Sequence, residues 1–260
     1  INAVGKGLAL KSNTTLKLTA GATLKAIPNN AEAYAILNIA GASNVTVDGG
    51  TLEGDRDQHQ GKSGEWGMGI RFGAGARHIR ISGLTVKNMW GDGFYVQGVT
   101  DATFCSVTAD NNRRQGMSII EADGLLVVNS VFKNTNGTRP SSGIDFEPNA
   151  ASEKIINVSI QSSKFLDNAG AGIMVAGKRG YVAKVEIMSN LFSGTLPIVL
   201  EYAPDVRDDA ICRNRQITYQ TEPSGGLSTV SEPKKVLVVQ SECGDRRLIV
   251  RRDKKRKKSK

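Results

Sequence analysis

Apolar and polar residues alternate along most of the chain in short runs separated by Gly and Asn. Near the start the apolar positions are Leu8, Leu10, then Leu16, Leu18, then Ala22, Leu24. Ile36-Leu-Asn-Ile39 and Val45-Thr-Val-Asp48 continue the pattern. A two-residue period broken by turn formers predicts short strands rather than helices. From Gly69 onward the pattern becomes a repeat. Gly69-Ile-Arg-Phe72, Gly93-Phe-Tyr-Val96, Gly116-Met-Ser-Ile119, Gly143-Ile-Asp-Phe146 and Gly172-Ile-Met-Val175 open successive units, with Pro197-Ile-Val-Leu200 as a worn sixth copy. Their spacings are 24, 23, 27, 29 and 25 residues. Further strands lie between them, and Asn88, Asn111, Asn134 or Asp167 precedes the next glycine.

Two to three short strands per repeat at this spacing exclude a propeller blade, which needs about forty residues, and no leucine-rich consensus is present. The coil of a parallel β-helix fits, each coil stacking on the last at ~4.8 Å. An Asn at the same corner of successive coils forms a ladder and tolerates a left-handed turn. The expectation is an all-β parallel solenoid of about eight coils over residues 1–202. An irregular C-terminal cap or extension over 203–250 and a disordered basic tail over 251–260 follow. Val236-Leu-Val-Val239 and Leu248-Ile-Val250 suit a terminal hairpin or cap.

Strand alternation sorts each unit into core and surface. Aligned on the glycine, the inward columns read Ile70, Phe94, Met117, Ile144, Ile173, Ile198 and Phe72, Val96, Ile119, Phe146, Val175, Leu200, all apolar. The outward column reads Arg71, Tyr95, Ser118, Asp145, Met174, Val199, and the next contributes Glu147. The position before the glycine gives Met68, Asp92, Gln115, Ser142, Ala171. One face therefore carries Arg71, Tyr95, Ser118, Asp145 and Glu147, bordered by Asp92, Arg113 and Arg114. This polar strip, ~15 Å long at the coil spacing, suits a few sugar units. The polar insertion Asp55–Trp66 precedes one of these coils and adds His59 and Trp66 to the candidates, Trp66 as a stacking surface for a sugar ring. Taken singly, most outward charges on such a surface are simply solvated. Asp92 between two glycines also suits a turn, and His59 and His78 are isolated. It is the convergence of bases, acids and a phenol on one strip that marks a site.

Strings such as Trp90-Gly-Asp-Gly-Phe-Tyr95, Asn111-Asn-Arg-Arg-Gln-Gly116 and Gly143-Ile-Asp-Phe-Glu-Pro-Asn149, with the glycine-led coils and the Asn ladder, resemble right-handed parallel β-helix proteins that act on polysaccharides. That superfamily includes pectate lyases, mannuronan C5-epimerases, polygalacturonases and tailspike depolymerases. The resemblance covers roughly Leu8 to Tyr202 and implies a secreted or cell-surface enzyme on a glycan that contains uronate. The Asp-Pro-His run of the epimerases and the catalytic set of the polygalacturonases are missing from this sequence. No catalytic assignment therefore transfers intact.

Two chemistries fit the strip. In β-elimination or epimerisation of a uronate, Arg114 or Arg71 neutralises the carboxylate, Tyr95 moves a proton, and Asp145 with Glu147 supplies hard oxygen ligands for Ca²⁺, which some relatives use. In hydrolysis, Asp145 and Glu147, two apart and so ~6–7 Å along a strand, flank the glycosidic bond. A non-catalytic glycan binder, adhesin or structural spike is the third class.

The net charge of +9 adds little to this picture. Arg251 to Lys260 holds eight basic residues and one Asp, +7, which leaves +2 for the rest. The body is close to neutral, so no nucleic-acid partner is expected, and the tail is expected to be mobile and solvated. Cys105, Cys212 and Cys243 form no metal-binding spacing; Cys105 reads as core, and Cys212 with Cys243 as a candidate pair. No run approaches the length of a membrane span. Ile1 falls inside a repeat, which points to an upstream segment. The oligomeric state stays open.

Overall fold

The computed structural model describes residues 1–201 except 6, 177 and 178, together with 211–218 and 235–237. Every described element is a strand, and the strands form three sheets of nine, eight and eight members. The first sheet contains Leu8–Ala9, Ala33–Ala40, Trp66–Gly73, Phe94–Val96, Met117–Ile119, Ile144–Phe146, Ala171–Ala176 and Leu196–Glu201. In each sheet every third strand of the chain is hydrogen-bonded to the one before it, in parallel. This is the expected parallel β-helix, and the described strands build eight coils. Lys235–Leu237 is the exception, pairing antiparallel with Leu196–Glu201. The stack runs past the boundary expected at 202, because Ile211–Cys212 and Arg215–Thr218 extend the second and third sheets in parallel. Leu248–Val250, the basic tail and Cys243 lie outside the described residues. Cys105 is half-buried at the outer side of its strand, not in the core. Among the described residues no helix is long and apolar enough to cross a membrane.

The inward columns are the core. Ile70, Phe94, Met117, Ile144, Ile173 and Ile198 stand in register and are fully buried. The third sheet contributes Leu52, Val86, Ala109, Phe132, Phe165 and Phe192. The rings of Phe132, Phe165 and Phe192 stack at centroid distances of 5.4 and 5.0 Å. This column explains the repeating glycine. A Cβ on Gly116 would stand 2.4 Å from the carbonyl of Gly143 and 2.9 Å from the Phe132 ring. On Gly143 it would stand 2.6 Å from the Gly172 carbonyl and 2.7 Å from the Phe165 ring. Removing the Cβ at this corner makes room for the aromatic column.

The start of the same turn, just after each third-sheet strand, carries the ladder. Asn88, Asn111, Asn134 and Asp167 all adopt φ between 52° and 57°, the left-handed region that Asn and Asp tolerate best. Asn111 donates to Asn88 Oδ1 at 2.8 Å, and Asn134 to Asp110 Oδ1 at 2.8 Å. Arg56, from the insertion, closes onto this ladder by donating to Asn111 O and Oδ1 and to Asn136 Oδ1. A second, buried set was not apparent in the alternation. Asn112, Asn168, Asn190 and Asn214 satisfy backbone groups inside the turns, as where Asn168 accepts from Thr135 N and donates to Phe132 O. Each replaces a pairing that the turn denies to the backbone.

Candidate functional site

The insertion, the loop around 135–142 and the loop around 147–153 border the outer face of the first sheet. The centre of that face is one guanidinium. Arg114 sits two residues before Gly116, and its backbone N donates to Gly91 O of the preceding coil. Its side chain crosses several coils. Nη1 donates to Asp92 Oδ2 at 3.3 Å and to Ser118 Oγ at 3.2 Å. Nη2 donates to both oxygens of Glu147, at 2.9 and 3.2 Å. Nε lies 3.4 Å from Glu65 Oε2. Three carboxylates from three different coils thus converge on a side chain that is 9% exposed.

Burial grades these acids. Asp92 is wholly buried, the Glu147 side chain is 27% exposed and that of Glu65 41%. Asp92 receives a hydrogen bond from Ser118 at 3.0 Å through Oδ2, while its Oδ1 is buried with no hydrogen-bond partner. Burial pushes the Asp92 carboxyl up to about 7, against the opposing pull of Arg114 and Ser118. Burial alone would lower the Arg114 guanidinium, but Asp92, Glu147 and Glu65 overrule it and hold it above the ordinary arginine range. Tyr95 is half-buried, and burial followed by the charge of Asp92 raises its phenol, with Arg71 opposing. Tyr95 is therefore a proton donor at neutral pH and not a base.

The expected strip is corrected in several places. Ser118 and Asp145 point away from the core but are covered, Asp145 being 2% exposed. Gln115 Nε2 donates to Asp145 Oδ2 at 2.8 Å, and Gln115 Oε1 accepts from Ser142 N. Gln115 thus holds Asp145 under cover, while Glu147 pairs with Arg114. Gln115 was visible in the column before the glycine, where Asp92, Gln115 and Ser142 are all polar; its burial was not. His59 is not on the face. Its ring is buried, with Nδ1 2.9 Å from Asp55 Oδ2 and its plane stacked 4.1 Å from Trp90, because Asp55 of the insertion offers an anion and Trp90 of the next coil an aromatic surface. Arg113 also turns away from the face. It lies 3.8 Å over the Trp90 ring and donates to the carbonyls of Gly64 and Trp90. Trp66 opens a strand of the first sheet and is 50% exposed, so the insertion proper ends at Glu65. Arg71 is exposed on the same sheet, beside Tyr95. Glu65 lies in no strand column, and only the path of the insertion brings it to Arg114.

The residues do not fit Ca²⁺. Among the described residues no group of three or more His, Cys, Asp or Glu side chains is gathered to hold a metal. The carboxylates that do converge surround a guanidinium, which already occupies the position of a cation.

The chain is 27% identical over 226 residues to the uncharacterized protein YclG of Bacillus subtilis, a match covering 71% of this chain and 38% of that protein. It is 28% identical over 166 residues to the SPbeta prophage-derived uncharacterized protein YorA of the same organism, covering 55% of this chain and 28% of that protein. The chain thus spans well under half the length of these relatives. Among solved structures it is similar to the A-module of Azotobacter vinelandii mannuronan C-5 epimerase AlgE4, at TM-score 0.47 and 16% identity over 84% of this chain and 80% of that one. It is also similar to an exopolygalacturonase from Thermotoga maritima, at TM-score 0.47 and 11% identity over 81% of this chain and 70% of that one. Residues 2–192 match the family described as the right handed beta helix region, and with eight parallel coils in place the chain belongs to the right-handed β-helix family.

Proposed function

We propose that this protein is a polysaccharide-modifying enzyme that binds a glycan across the outer face of the first sheet and cleaves it by acid–base hydrolysis. The observation that carries the reading is the convergence of Asp92, Glu147 and Glu65 on Arg114 beneath that open face. Hydrolysis of a glycosidic bond needs one carboxyl that holds a proton and another that is ionised. Environments that separate two carboxyls in this way mark the acid and the base. Asp92, pushed up to about 7 by burial, holds a proton beneath the face, and the partly exposed Glu65 and Glu147 are the carboxyls within reach of a glycan. Glu147, partly exposed in its ion pair with Arg114, carries the charge. Tyr95 donates a hydrogen bond, and the exposed faces of Trp66 and Tyr95 offer stacking surfaces for sugar rings.

The same electrostatics disfavour a uronate carboxylate at Arg114. Elimination requires a cation free to neutralise the substrate carboxylate. Arg114 is already paired with the Glu147 and Glu65 carboxylates, so an added anion beside it meets negative charge, and exposed Arg71 is the cation that elimination would have to use. The test is incubation of the protein with neutral glycans, pectate and alginate, following reducing ends and the ultraviolet absorbance of unsaturated products. Reducing ends without absorbance, abolished in Glu147→Gln with folding intact, support the reading. Unsaturated product identifies a lyase, and activity on no glycan leaves the non-catalytic binder.

A further inference from the structure

Arg113 and Arg114 are neighbours in sequence with opposite destinations. Arg114 gathers the carboxylates. Arg113 reaches the insertion, where Nη1 donates to Gly64 O at 3.0 Å while also holding Trp90 O at 3.1 Å. Its guanidinium caps a stack that continues through Trp90 to His59, with centroids 4.1 Å apart, and on to Tyr34 at 6.3 Å. Asp55 anchors the far end, accepting from Tyr34 Oη, from Asn29 N and Asn29 Nδ2, and bonding His59 Nδ1. The residue after Gly64 is Glu65, which meets Arg114 Nε. The fit there is close: a Cβ on Gly91 would stand 2.1 Å from the Glu65 carbonyl.

We infer that Arg113 is a positioning residue that holds the end of the insertion so that Glu65 faces the substrate as the third carboxylate of the site. This rests on the hydrolytic reading above. The geometry separates the two functions of the arginine pair: one fixes the insertion backbone through a carbonyl, and the other receives the side chain the insertion delivers. Glu65 is the most exposed of the three acids, so it is the one that substrate binding reaches first. A displacement of ~1 Å at a reacting centre lowers turnover by ~10²-fold. Releasing Gly64 therefore acts on catalysis through Glu65.

The experiment compares Arg113→Ala, Glu65→Gln and the double variant in the full chain. It uses hydrogen exchange of the insertion amides and kcat and KM on the glycan that the panel identifies. We expect faster exchange across residues 61–66 in Arg113→Ala but not in Glu65→Gln. Both should lose ~10–100-fold in kcat/KM, with the double variant no worse than the poorer single variant. Arg113→Lys should restore protection in part, since a lysine still reaches a carbonyl but lacks the planar stack on Trp90. Unchanged exchange in Arg113→Ala, or strictly additive losses, overturns the positioning role. If the wild type turns over no glycan, the hydrolytic reading falls, and the exchange comparison alone decides whether Arg113 holds the insertion. Should Arg113→Ala fail to fold, Gly91→Ala perturbs the same junction from the opposite side and is read in the same way.

Discussion

Replacing Asp92 with Asn should make the protein more resistant to alkaline conditions, an unusual outcome for the loss of a salt-bridged acid. Asp92 is fully buried, and its carboxyl moves from 3.8 to about 7 in the folded chain. Well below pH 3.8 the carboxyl is neutral in both folded and unfolded chains. As pH rises, the unfolded chain loses this proton first while the folded chain keeps it, so the unfolded state is favoured. Stability from this group is thus present below the unfolded value and declines until pH passes about 7, where both states are ionised. At ~1.4 kcal/mol per unit, the full change is about 4 kcal/mol. Asn retains the shape and the bond to Ser118 but does not titrate, and every other group is common to both proteins. The difference in unfolding free energy, Asp92→Asn minus wild type, should therefore rise by about 4 kcal/mol between pH 4 and pH 9. In thermal melts this corresponds to roughly 10 °C for a chain of this size. Urea unfolding of both proteins across that range measures it. A flat difference, or one that falls with pH, would refute the burial argument. In that case Arg114 holds Asp92 as an ordinary ionised partner.

Removing the guanidinium tests the same network from the other side: Arg114→Ala should cost about 3–5 kcal/mol, as breaking a buried ion pair does, and Arg114→Ala with Asp92→Asn should recover part of it in urea titrations. The glycine column is checked by Gly116→Ala, whose Cβ would meet a backbone carbonyl at 2.4 Å. It should lose at least ~2 kcal/mol by overpacking, whereas Gly21→Ala, with open space and φ of +82°, should lose only ~1 kcal/mol from backbone strain; equal urea midpoints for the two variants would remove the steric account.

Much of the fold is legible in the sequence alone. The apolar columns through Ile70 and Phe72, the glycine period and the Asn corner at 88, 111 and 134 are local statements, repeated. A strand shows its facing by alternation, and a solenoid stacks each unit on the next, so a column in the alignment becomes a column in space. For the same reason Tyr95, Arg114 and Glu147 could be placed on one face from spacing alone. What alternation cannot supply is depth. Ser118 and Asp145 point outward yet are covered, because outward from a sheet is not the same as toward water when loops border the sheet. The insertion is the other limit. It has no period, so nothing local showed that His59 would enter a stack with Trp90 and Asp55, that Arg113 would take the Gly64 carbonyl, or that Glu65 would come to Arg114. Those contacts depend on the path of an irregular segment across several coils, and the burial that lifts Asp92 to about 7 comes from side chains of neighbouring coils, Arg114 and Ser118 among them.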